Sequence, residues 1–138
     1  MTRHSLHSIA AIVARAGFKG SNIPAAVAIA MHESQGDDAY DYLACIDPLI
    51  HDRGIFALHV GEFAPADHMK LFNPQYSADY FRIKYQGVGI SLLEHRAAPV
   101  ALHPDNLSEI VRALRSTTPT HPIEPHSKLA QVAYTHRI

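Results

Sequence analysis

The chain contains no tryptophan and one cysteine in 138 residues. With Cys45 alone, no intramolecular disulfide can form, which excludes a small secreted fold stapled by disulfides; Cys45 is expected to be a small buried residue. No run approaches the ~18 consecutive apolar residues needed to span a bilayer, so membrane insertion is not expected. Neither sign of charge dominates. Twelve Lys and Arg against thirteen Asp and Glu leave a formal charge of -1, and without a strong field no nucleic-acid partner is expected. The opening residues Met-Thr-Arg-His-Ser-Leu-His lack the apolar core and cleavage site of a signal peptide. Synthesis in the cytoplasm is therefore expected, with carriage or release by other means if the protein acts outside it.

What the chain does have is enough apolar material, 47%, to build one globular core. Helical spacing governs most of it. Ser5 is placed to cap a first helix bearing Leu6, Ile9, Ile12 and Val13, stopped by Gly17. Asn22 caps a second helix that tolerates Pro24 in its first turn, and Gly36 supplies its left-handed stop. This second helix is apolar on nearly every side, so it is central. The stretch from Asp37 to Asp67 is irregular, with a short extended or β segment near residues 54–60. Asn73-Pro74 opens a third helix through Tyr85, and Ile90 to Arg96 reads as a further helix. Asn106-Leu-Ser-Glu109 has the form of a capping box for another. Three prolines between Ser116 and Pro125 mark a linker, and Ser127 to His136 reads as a short terminal helix or tail. The expected organisation is a mostly α domain over residues 1–115 followed by this linker and tail over residues 116–138.

Eleven histidines are an unusual number, and they are scattered. His32-Glu33 begins like a zinc-protease motif, but Gly36 stands where its second histidine belongs. His4 and His7 share a helical face and are too few for zinc. No metal and no cofactor are expected, and solvated surface is the expected place for most of the histidines.

Glu33 is the position that points to chemistry. It ends the apolar run from Ile23 to His32 and precedes Ser34, Gln35 and Gly36. The negative end of the helix dipole and an apolar surround both disfavour ionisation, the condition under which a carboxyl serves as a general acid. Asp37, Asp38, Asp41, Asp47 and Asp52 are candidates for a second carboxylate, and Asp52, just before Gly54, is the first choice.

The order of these pieces resembles the lysozyme-like lytic transglycosylases, a superfamily that also includes the goose-type lysozymes. The matching segments are Ala25-Ala-Val-Ala-Ile-Ala-Met-His-Glu-Ser-Gln-Gly36, Gly54-Ile-Phe56 and Phe72-Asn-Pro-Gln-Tyr-Ser-Ala78, within a region from Leu6 to His95. The resemblance implies a single-domain lysozyme-like helical fold. It implies cleavage of the β-1,4 bond between N-acetylmuramic acid and N-acetylglucosamine in peptidoglycan, with Glu33 as general acid/base and Asp52 as auxiliary carboxylate. Ser34, Phe56, His59 and Tyr80 are the implied substrate-binding residues. Tyr40, Tyr42 and Tyr85 are further candidates for the sugar-stacking role that tryptophan often fills. The chain departs from the family pattern in three places: Ala57 stands where a glutamine usually follows the Gly-apolar-aromatic element, His59 where asparagine is common, and Gln35 where glycine usually follows Glu-Ser. The implied setting is a bacteriophage, with the enzyme carried in the virion or released to the cell wall at lysis. The alternative expectation is a catalytically degenerate lysozyme fold that serves as a structural or binding subunit of a virion, with contacts to other virion proteins through the C-terminal tail.

Overall fold

A computed structural model describes residues 2–47 and 49–116. The described chain is mostly helical, with one small antiparallel sheet. Helix α1 (Leu6–Ala16) starts where Ser5 accepts the Ser8 N–H and stops at Gly17, whose φ of 111° only glycine adopts freely. A side chain at Gly17 would also run into Arg82. The apolar stripe Leu6, Ile9, Ile12 and Val13 is buried, and α1 packs on α2 and α3.

Helix α2 (Asn22–Ser34) is the central element, buried continuously from Ala26 to Ser34. Its ends differ from expectation. Asn22 is the first helical residue, and Ser21 before it makes no side-chain cap. The left-handed stop falls on Gln35, at φ 55°, one residue ahead of Gly36. The cause lies in the neighbours. Gly36 is held by the Ser34 hydroxyl at its N–H and by the His4 N–H at its carbonyl, so the chain must already have turned at Gln35.

Strands β1 (Asp41–Leu43), β2 (His51–Arg53) and β3 (Leu58–His59) form the sheet in that order. The extended segment expected near 54–60 is shorter than its apolar content suggests. Gly54, at φ 85°, and Ala57, at φ 50°, fold residues 54–57 into a tight turn closed by the Ala57 N–H on the Gly54 carbonyl, 2.9 Å. That turn drives Ile55 and Phe56 into the core. Cys45 is exposed on the β1–β2 connection, contrary to expectation, because the sheet buries little on that side.

Helix α3 (Pro74–Arg82) is capped by the Asn73 side chain, and its path continues in a π-helical turn over Ile83–Gly87. The helix expected over Ile90 to Arg96 is only a 3₁₀ turn, Leu92–Glu94. Among its apolar residues Leu92 alone is buried, while Ile90 and Leu93 face solvent, so a longer helix would gain little burial. A short helix α4 (Ala98–Ala101), not anticipated, follows. Helix α5 (Pro104–Arg115) begins two residues before the expected capping box, because His103 caps it and Pro104 takes its first position. Asn106 is instead buried in the first turn, donating to the Val100 carbonyl at 2.7 Å. The expected linker beyond Ser116 and the expected terminal helix lie outside the described residues. No helix of the described residues is long and apolar enough to cross a membrane.

The core lies where α1, α2 and α3 meet the Gly54 turn. Phe56 stacks on Phe81 with ring centroids 4.2 Å apart, and Phe18 meets Phe81 from the other side at 5.9 Å. Contacts of this kind add about 1 kcal/mol each to the burial of the rings.

Candidate functional site

The end of α2 and the middle of β2 face each other across a groove of about 330 Å³. Glu33 reaches it because the last turn of α2 points toward the sheet. Asp52 reaches it by strand alternation: successive side chains of β2 leave on opposite faces. His51 and Arg53 therefore share the other face, where both meet Asp41 Oδ1, at 2.6 and 3.2 Å. Burial works against charge on Asp41, but hydrogen bonds and charge from His51 and Arg53 outweigh it and hold its pKa below the usual value. Asp52 is thus left to the groove, in register with Tyr42 on β1 and His59 on β3.

The far wall comes from Arg96 and Ala97, between the 3₁₀ turn and α4. Arg96 Nη2 donates to Glu33 Oε2 at 2.6 Å and to Asp52 Oδ2 at 3.3 Å. Burial disfavours the charge on Arg96, yet the attraction and hydrogen bond of Glu33, then those of Asp52, more than compensate and raise its pKa. Beneath it His95 is buried against the rings of Phe81 and Tyr85, and its Nδ1 accepts the Ala97 N–H at 2.9 Å. Burial, followed by the charges of Arg96, Lys84 and His32, lowers the His95 pKa to about 4. A neutral ring with a bare Nδ1 is what the bond to Ala97 requires. The structure therefore gives Glu33 a cationic neighbour where an apolar surround was expected.

The five candidate carboxylates separate cleanly. Asp37 and Asp47 accept backbone N–H groups two residues on. Asp38 accepts the Thr2 N–H at 2.7 Å and lies 3.0 Å from His4 Nε2, and Asp41 is engaged on the opposite sheet face. Asp52 alone among them lines the groove with Glu33. His59 stands beside it, with Nδ1 3.7 Å from Asp52 Oδ1.

Three expected substrate contacts are placed elsewhere. Ser34 is buried; its hydroxyl donates to the Ile55 carbonyl at 2.7 Å and accepts the Gly36 N–H, tying the end of α2 to the Gly54 turn. Phe56 is 1% exposed, in the core. Tyr80 donates to Glu62 Oε2 at 3.0 Å and packs on Phe63; burial and then Glu62 raise its pKa. The aromatic lining comes instead from Tyr40 and Tyr42. Sequence reading gave no role to Ile50 or Ala97 and took Arg96 only as the end of a helix. Arg96 stands 63 and 44 residues from its two partners, a distance no local pattern spans. The histidines are also less solvated than expected, since His4 is half-buried and His32 and His95 are buried.

Among the described residues no cluster of three or more His, Cys, Asp or Glu side chains is placed to hold a metal ion. The groove instead offers two carboxylates, one cation between them and a tyrosine wall, a set suited to proton transfer and to stabilising a developing positive charge. Compared with known proteins, the chain matches no family model, no curated protein and no solved structure at a significant level.

Proposed function

We propose that the protein cleaves β-1,4 glycosidic bonds of peptidoglycan, with Glu33 as general acid/base and Asp52 as the second carboxylate. The observation that carries this reading is the convergence of Glu33 and Asp52, from the end of a buried helix and the middle of a strand, on one groove. Glycosidic cleavage uses such a pair. Protonated Glu33 gives its proton to the leaving oxygen as the bond to the anomeric carbon breaks, and the Asp52 carboxylate stabilises the oxocarbenium-like centre. Glu33, now a carboxylate, takes a proton either from the sugar's own 6-hydroxyl, which closes an anhydro ring, or from water.

The spacing bears on which enzyme class to consider. Inverting glycosidases hold their carboxyls ~6.5–9.5 Å apart to admit a water, and retaining ones ~5–5.5 Å. Oxygens that both touch one guanidinium nitrogen fall on the short side of that divide. This favours retention or anhydro-ring closure over direct inversion. Tyr40 and Tyr42 supply the aromatic wall against which a sugar face packs.

Incubating wild type and Glu33→Gln with purified sacculi and separating the released muropeptides tests the reading. Anhydro or reducing-end products from wild type, lost by ~100-fold or more in the variant, support it. No release by wild type between about pH 5 and pH 8 rules it out.

A second reading, a non-catalytic lysozyme-fold subunit of a phage virion, is favoured by one observation. The β1–β2 connection exposes Leu43, Ile46 and Leu49, with Ile46 at 99% and Leu49 at 79%, and exposed apolar clusters mark interaction surfaces. The contact through the C-terminal tail that this reading also invokes involves residues outside those described.

A further inference from the structure

Arg96 covers the two groove carboxylates from the solvent side. The Glu33 and Asp52 side chains are 5% and 10% exposed, while that of Arg96 is 60% exposed. Its backbone is fixed: Ala97 and Ala98 are buried, and His95 Nδ1 holds the Ala97 N–H. Among the described residues the Arg96 guanidinium hydrogen-bonds to these two carboxylates. Rotation of the side chain toward solvent therefore breaks two contacts and disturbs no packing beneath.

Removing the guanidinium leaves two carboxylates side by side in a poorly solvated site. Such a pair does not remain doubly ionised, because each charge disfavours the other and the two groups titrate as a unit. With Arg96 seated, two negative charges and one positive give the site a net charge of minus one. With Arg96 out, a single proton taken from water restores the same net charge. We propose that Arg96 is a removable cover on the Glu33–Asp52 pair, and that its displacement is coupled to the uptake of one proton, turning two carboxylates into one acid and one carboxylate. That mixed state is the one glycosidic cleavage needs. To this extent the inference rests on the proposed function, while the coupling itself rests on the geometry of the three side chains.

Other groups face the pair and compete for the same proton. His32 adjoins Glu33 on α2, His59 stands beside Asp52, and Tyr40 and Tyr42 line the groove. Tyr85, His95 and Lys84 approach from the segment below Arg96. The Tyr85 phenol is raised, by burial first, and His95 is neutral, so His32 and His59 are the relevant competitors. The readout must then report carboxyl groups by themselves.

Carboxyl carbon-13 shifts of Glu33 and Asp52, followed by NMR titration, meet this need. The samples are wild type, Arg96→Gln and Arg96→Gln/Asp52→Asn, with muropeptide release measured in parallel. Arg96→Gln is expected to hold about one more proton on the pair than wild type near pH 6, in a two-step titration. The double variant is expected to reduce this to one step. Arg96→Lys retains a cation without the planar fork and is expected to titrate between wild type and Arg96→Gln, which keeps the test open if Arg96→Gln does not fold. Carboxyl shifts in a folded Arg96→Gln that superimpose on those of wild type overturn the proposal. Where wild type cleaves sacculi, uncovering should raise release at neutral pH several-fold. A loss of release would make Arg96 part of the chemistry and overturn its role as a cover. A proton step with no cleavage by any form leaves the coupling standing and removes the peptidoglycan reading.

Discussion

A histidine that accepts a backbone N–H at Nδ1 cannot carry a proton there, and His95 sits where burial and three neighbouring cations oppose its charge. The linkage has a definite sign. With a folded pKa of about 4 and an unfolded value near 6.5, the unfolded chain binds more protons between these limits. Stability from this group is therefore complete above about pH 6.5 and is lost as pH falls toward about 4. Wild type should lose roughly 2–3 kcal/mol over that window through His95. His95→Gln keeps an acceptor for Ala97 and should lose correspondingly less, as urea midpoints at neutral and acid pH will show. Ser34 makes a second residue-scale case. Removing its hydroxyl strands the Ile55 carbonyl in the core, so Ser34→Ala should cost about 1–3 kcal/mol, visible as a lower denaturation midpoint. Reading the sequence correctly anticipated local bonding at Ser34. It did not anticipate the buried role of His95, because a ring facing Phe81 and Tyr85 across a fold carries no mark in its immediate neighbours.

Whole elements were legible in proportion to how local their causes are. Helix α1 follows from Ser5, an apolar spacing and Gly17, all within thirteen residues. Helix α2 follows from its unbroken apolar content. The Gly54 turn was harder, since the reason for glycine there is remote: besides its φ of 85°, a Cβ would strike the Leu71 carbonyl, which also accepts the Ser77 hydroxyl at 2.8 Å. Gly54→Ala is accordingly expected to cost about 2 kcal/mol or more, measured by thermal or urea unfolding, and to loosen Phe56 from Phe81. The segment from Ile90 to Arg96 misleads by composition. It has apolar residues enough for a helix, but Ser91 caps Leu93 and His95 turns to cap Ala97, so local side-chain bonds to backbone win over helix continuation.

At the scale of the molecule, the N-terminal residues close a loop around α1 and α2. The Thr2 N–H and His4 ring meet Asp38, the His4 N–H meets the Gly36 carbonyl, and Arg3 meets Gln35. This clamp grips the chain directly after Glu33. Asp38→Ala should lower global stability by about 1–3 kcal/mol in urea unfolding, and it should weaken amide protection across residues 34–38 in hydrogen exchange more than across α5. The acidic half of the groove could be nominated from the sequence because carboxylates at a helix end and before a turn are local signals. The cation could not, because it is supplied by a third segment that only the complete fold brings near. The alternation of β2 also limits how the gene can vary. Asp52 shares its strand with His51 and Arg53, which point the other way, so the groove's character depends on parity. A single-residue insertion or deletion that shifted β2 by one position against its neighbours would present imidazole and guanidinium where the acid now stands, and a shift by two would return the original face. Length changes in the β1–β2 connection that reach the strand pairing are therefore expected to survive in even steps and to invert the chemistry of the wall in odd ones.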